Sequence, residues 1–163
     1  MEKVIGFTDL QLQKRRDDSL ALYNKFGYVA CPALENRKVC FTAEGFNHLI
    51  YKPKKGREKS DEYFRLNLVQ YIKHIIGLTT TIQETDEVIQ MVDIKDHGKR
   101  AKADRLVKYW GFIAIINRTR IKITVRQIGE GQLHFWSVQP YWKMTNHNNI
   151  HVRNLATGNL AED

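Results

Sequence analysis

Two cysteines, Cys31 and Cys40, are all that the 163 residues contain, too few for the four-ligand grouping of a structural zinc site or for a disulfide framework. They read as reduced, packed thiols in preference to a disulfide between them. Proline is scarce as well, at three residues beside ten glycines, which argues against a disordered chain. No apolar run reaches the roughly 18 residues of a membrane-spanning helix. The opening MEKVIGFTDL has no charged-then-apolar export signal, so a cytoplasmic protein is expected, with export by another route left open. A glycine-rich phosphate loop is missing, Ser137 has no GxSxG context, and the six histidines form no HExxH-like pair. Nucleotide-loop enzymes, serine hydrolases and zinc hydrolases of that kind thus lack their signatures, and no cofactor or metal is expected.

What the chain does have is positive charge. Lys plus Arg number 26 against 18 Asp plus Glu, a formal +8, which favours a polyanionic partner, nucleic acid first, and no membrane span. The length suits one domain, here residues 1–143, with a polar, aperiodic tail over 144–163 that is expected to fray.

The clearest local signal is RIKITVRQIGEGQLHFWSVQPYW, residues 120–142. Arg120, Lys122, Thr124 and Arg126 alternate with Ile121, Ile123 and Val125, a period of two that puts cations on one strand face and aliphatics on the other. Gly129-Glu130-Gly131 suits a three-residue hairpin loop with Gly131 left-handed. That loop would set Arg126 opposite His134, Thr124 opposite Trp136 and Lys122 opposite Val138. With the apolar YWGFIAIIN before it, the hairpin completes an antiparallel meander over 107–117, 119–128 and 132–139.

Upstream, 8–24 suits a short helix and 27–42 two short strands or a strand and a loop. Thr42 caps a helix with Phe46, Leu49 and Ile50 on one stripe, stopping before Pro53. KPKKGREK, residues 52–59, reads as a solvated loop or a phosphate contact. Ser60 caps a long helix ended by Gly77, with Phe64, Leu68, Tyr71, Ile72, Ile75 and Ile76 at helical spacing. Residues 78–94 fit strand or helix, with strand favoured near 79–83, and 96–105 reads as a polar loop. The class is α+β, with helices on one face of the sheet and a cationic face left open.

On that face Arg120, Lys122 and Arg126 could hold phosphates, and Trp136, Tyr141, Trp142 and either Tyr109 or Trp110 could stack on unpaired bases. Trp110 and Trp136 also read as core filler. Such residues suffice for metal-independent RNA cleavage, in which a base deprotonates the 2′-hydroxyl, cations stabilise the phosphorane and an acid protonates the leaving oxygen. His48 and His134 are the candidate base and acid, and Arg57, Lys122 and Arg126 the charge stabilisers. A non-catalytic RNA-binding or protein-interaction module would use the same surface. The acidic cluster at Glu84, Asp86, Glu87 and Asp93 could instead fold towards the basic face as a phosphate decoy, provided it lies within about a Debye length, roughly 10 Å.

FTAEGFNHLIYKPKKGRE (41–58) and YWGFIAIINRTRIKITVRQIGEGQLHFWSVQPYW (109–142), joined by the long helix, together resemble the phage- and mobile-element-associated nuclease families of the Barnase-EndoU-Colicin-RelE superfamily. The resemblance implies helices on a curved antiparallel sheet and a metal-independent ribonuclease, a toxin or effector cutting tRNA or mRNA and held in check by an acidic antitoxin or immunity protein. It extends the candidate site to His48, the cations Lys52, Lys54, Lys55 and Arg57, Arg65, Arg126, and the block from His134 to Ser137.

Overall fold

Thr8 and Gln11 start the fold with a reciprocal cap, each side chain accepting from the other's backbone N–H, which fixes the entry to α1 (Asp9–Tyr23). The computed structural model describes residues 6–52, 55–116, 118–141 and 160–161. Within these, α1 leads to β1 (Tyr28–Cys31), a 3₁₀ turn (Pro32–Leu34) and β2 (Arg37–Cys40). Then come α2 (Ala43–Ile50), the short pair β3 (Tyr51–Lys52) and β4 (Lys55–Gly56), and α3 (Lys59–Leu78). β5 (Glu84–Asp96), β6 (Lys99–Ile116), β7 (Thr119–Ile128) and β8 (Leu133–Pro140) follow as consecutive antiparallel strands.

The class is α+β, the described residues forming three helices and an open six-stranded sheet in the order β1-β2-β8-β7-β6-β5. The sheet is mixed rather than wholly antiparallel, because β2 joins β8 in parallel, Val39 opposite Leu133 and Cys40 opposite His134. The helices press Leu12, Phe46, Leu49 and Ile72 against Ile123 and Val125 to make the main core. Arg16 clasps α1 to α3 through Glu62, Nη2 to Oε2 at 2.9 Å, and Tyr23 Oη donates to the Thr42 carbonyl at 2.7 Å.

Several expectations change. Residues 96–105 are strand apart from the turn at His97-Gly98, because the charges pair across the ribbon, Asp93 opposite Lys102 and Asp96 opposite Lys99. Residues 79–83 lie before the strand, not in it. Helix α3 begins at Lys59 after Glu58, so Ser60 is not its cap, and it runs through Gly77 to Leu78. Gly77 serves close packing instead, since a Cβ there would sit 3.1 Å from Val29 Cγ2. Phe64 on the same helix is exposed. In the β7–β8 turn Gly129, not Gly131, has positive φ, and Gly131 N–H closes on the Ile128 carbonyl at 2.9 Å.

The register holds at Arg126 opposite His134, then shifts. Val125 faces Phe135 while Thr124 faces Ser137, leaving Trp136 as the extra residue of a bulge. Lys122 consequently faces Gln139, not Val138. Nor is the cationic face of β7 open, for residues 121–127 are all buried. A second, smaller core covers it, formed by Val92, Val107, Tyr109, Trp136 and Leu160. Leu160 is therefore docked, not frayed; the rest of the 144–163 tail, apart from Ala161, lies outside the described residues.

β2 pairs with β8 only at Leu133 and His134, and beyond them α2 lies against β8. A Cβ at Gly45 would come 2.3 Å from the Phe135 carbonyl oxygen and 2.9 Å from Tyr23 Oη. Gly45→Ala is expected to force α2 off the strand at a cost of about 1–3 kcal/mol, measured as a lower urea midpoint at unchanged m-value. Wild-type stability in this variant would mean that α2 is free to slide.

Candidate active site

One turn beyond Gly45, the close approach of α2 to β8 delivers His48. Its ring stacks on Trp136 with centroids 4.1 Å apart and planes at 21°. The Arg126 guanidinium lies 3.6 Å from the centre of the same indole. Two groups that near one centroid cannot share a side, so Trp136 is sandwiched between them, cation–π contact on one face and imidazole on the other. Both faces being occupied, Trp136 organises the site and does not offer a free stacking surface for a base. The bulge is what permits this, placing Trp136 and Ser137 on the same side of β8 as His134.

Arg126 Nε donates to His134 Nε2 at 2.8 Å. His134 therefore accepts at Nε2 and carries its proton on Nδ1, which faces the Gln132 carbonyl at 3.3 Å. Burial, then the charge of Arg126, lower its pKa to about 4. Arg126 Nη2 also lies 2.9 Å from Glu44 Oε1, an ion pair without hydrogen-bond alignment. His48 is treated alike. Arg57 Nη2 sits 3.4 Å from His48 Nε2, and Arg57 Nε donates to the His48 carbonyl at 2.9 Å. Burial first, then Arg57, Arg65, Arg126 and Lys52, lower the His48 pKa to about 3. At neutral pH both imidazoles are uncharged.

Arg65 joins from α3. Its Nη1 donates to Ser137 Oγ at 3.0 Å and its Nη2 to Gln139 Oε1 at 2.8 Å, while Nε meets Asp61 at 2.9 Å. Asp61 also receives Arg57 at 3.4 Å, so one carboxylate aligns two guanidinium groups. Asp61 was not among the expected site residues, although its spacing of four from Arg65 on α3 is a signal of one shared face. Glu44, Gln139 and Leu160 carried no such signal.

The structure thus brings His48, Arg57, Arg65, Arg126, His134, Trp136 and Ser137 into one cluster, with exposed Lys52 close enough to act on His48. Other candidates stand apart. Lys122 is fully buried and paired with Glu84 at 3.0 Å, so it is no exposed phosphate ligand, and the acidic cluster touches the basic strand at that pair. Thr124 is buried opposite Ser137. Tyr141 sits over Lys122, ring centre to Nζ 5.5 Å, and Arg120 is exposed at the strand's start. Tyr109 is buried in the second core, and Trp110 packs against the main core. Lys54, Trp142 and the Lys55 side chain lie outside the described residues. Among the described residues no three His, Cys, Asp or Glu side chains group as metal ligands would, and no helix is long and apolar enough to cross a membrane.

Comparison of the chain with protein-family models, curated proteins and solved structures finds no match.

Proposed function

We propose that the chain is a metal-independent endoribonuclease of the toxin or effector type, akin to the Barnase-EndoU-Colicin-RelE nucleases. The observation that carries this reading is the meeting of two neutral imidazoles, His48 and His134, with three guanidinium groups, Arg57, Arg65 and Arg126, around Trp136. Guanidinium groups held by protein contacts are suited to a phosphodiester whose negative charge grows in the transition state.

At rest each imidazole Nε2 lone pair faces an arginine N–H. A phosphate is the better acceptor for a guanidinium, through charge-assisted and often bidentate hydrogen bonds. RNA binding therefore draws Arg57 and Arg126 towards phosphate, frees the lone pairs and cancels the positive charge that adds to burial in depressing the histidines. One histidine then takes the 2′-hydroxyl proton and the 2′-oxygen bonds to the adjacent phosphorus. The P–O5′ bond breaks, leaving a 2′,3′-cyclic phosphate. The other histidine, which takes up a proton from solvent once phosphate offsets the arginine charge beside it, gives that proton to the departing 5′-oxygen. An acidic inhibitor protein would compete for the same cations.

Purified protein incubated with total RNA in excess EDTA is expected to cut it and leave 2′,3′-cyclic phosphate ends. His48→Ala and His134→Ala should each lower the rate about 100-fold or more. A second reading, RNA binding without cleavage, is favoured by the capped Nε2 lone pairs, and tight binding of RNA that stays intact would decide for it.

A further inference from the structure

Trp136 is 9% exposed and Arg126 3%, so something lies where a substrate would have to enter. On the second face of the sheet that something is Leu160-Ala161. Leu160 is 2% exposed and packs with Val107, Tyr109 and Trp136. The slot it fills is built by a glycine: a Cβ at Gly111 would lie 3.2 Å from Leu160 Cδ2. Gly111 is in the row of Glu84, Thr124 and Ser137 across the strands, directly beside the row that holds Tyr109, Arg126 and His134. The Trp136 indole Nε1–H donates to the Ala161 carbonyl at 3.1 Å. This is the same indole that stacks on His48 and carries Arg126. The chain thus places an apolar side chain in a slot and a carbonyl on a buried donor, and its sequence continues with Glu162 and Asp163. That is the order of groups a nucleotide offers: a base with a carbonyl acceptor, then negative charge.

We infer that the Leu160 slot is a nucleobase subsite, occupied in cis by residues 160–161, and that this contact competes with RNA and holds the site closed. The inference rests on the ribonuclease reading. Burial of one leucine side chain sets the scale of the competition at roughly tenfold or more in apparent affinity, because RNA binds only the fraction of molecules whose slot is empty.

The test is binding of a fluorescent 2′-O-methyl oligoribonucleotide, which lacks the attacking hydroxyl and so reports binding alone. It is measured on the full chain, on a deletion of residues 160–163 and on Leu160→Asp. Both variants are expected to bind at least about tenfold more tightly than wild type, and a peptide of sequence ATGNLAED added in trans should reverse the gain for the deletion. Hydrogen exchange at the Trp136 indole, protected in the full chain and fast in both variants, reports the tail's departure independently of RNA. Exposed indole with RNA affinity unchanged from a wild type that does bind would overturn the inference and leave the ribonuclease reading intact. No RNA binding by any of the three proteins, with the indole exposed in the variants, would sink the RNA reading and this inference with it. If the deletion fails to fold, Leu160→Ala takes its place, and an alanine variant that folds but binds no more tightly counts against the competition.

Discussion

Folded protein is expected to lose roughly 6 kcal/mol of stability between pH 7 and pH 4, about 3 kcal/mol for each of two histidines. His48 and His134 have pKa values lowered to about 3 and about 4 from an ordinary 6.5. Between those values the unfolded chain binds two protons that the folded chain does not, so unfolding takes up protons and acid favours it. The contribution is complete above pH 6.5 and is lost as pH falls through 6.5 towards the folded values. A typical domain has only about 5–15 kcal/mol in hand, so mild acid alone should bring it near its midpoint. Urea midpoints at half-unit pH steps check this, and His48→Gln and His134→Gln should each flatten the slope by about one proton. A midpoint constant across that acid range would show that the imidazoles are not held neutral and buried. On the ribonuclease reading nucleic acid should counter the acid effect, since phosphate neutralises Arg126, which helps depress both histidines, and Arg57, which helps depress His48.

Where structure follows from local pattern, the sequence was a sufficient guide. The Thr42 cap, the stripe of Phe46 and Leu49, and the strands from 107 to 140 depend on neighbours a few residues away. The parallel pairing of Val39-Cys40 with Leu133-His134 joins segments far apart in the chain and has no local signature. The ribbon beyond β7 was unreadable for a different reason. Val88, Val92 and Ile94 give β5 an inward side, but Ile89 and Met91 between them are left exposed, which blurs the alternation, and over 96–105 the mostly solvated charges read as loop. The bulge is one residue, and turn chemistry alone cannot reveal it.

The candidate site was legible by residue type but not by burial. His48, Arg57, Arg126 and His134 stand out in the chain as chemistry-bearing residues, and α2's approach to β8 joins them. What the alternation of Arg120 to Arg126 could not convey is that its polar face is covered. Lys122 finds Glu84, 38 residues earlier, and Leu160 arrives from the far end of the chain. An amphipathic strand reads as half-solvated until a distant segment is laid over it.

Arg65→Met is expected to destabilise the fold by about 3–5 kcal/mol, the range for removing one partner from a buried charge pair. Methionine keeps much of the stem's bulk, so the loss falls on the guanidinium. Arg65 is 2% exposed, and its fork ties α3 to β8 through Ser137, the Val138 carbonyl at 3.4 Å and Gln139. Without it Gln139 Oε1 stays buried with its donor gone, adding a desolvation cost of about 1–3 kcal/mol to the lost bond. Asp61 keeps Arg57 at 3.4 Å, which places the total nearer the lower end. Arg65→Lys retains the charge but presents one ammonium where two fork arms reached Ser137 and Gln139, and should fall between Arg65→Met and wild type. Ser137→Ala removes the hydroxyl that Arg65 Nη1 reaches at 3.0 Å and should cost about 1 kcal/mol. Guanidinium chloride midpoints on the wild type and the three variants rank them. If Arg65 clamps the helix to the strand, the required order of falling stability is wild type, Ser137→Ala, Arg65→Lys, Arg65→Met. Were Arg65→Met as stable as Ser137→Ala, the clamp would be worth no more than one hydrogen bond. Arg65 would then be held in place chiefly for the phosphate proposed to bind there.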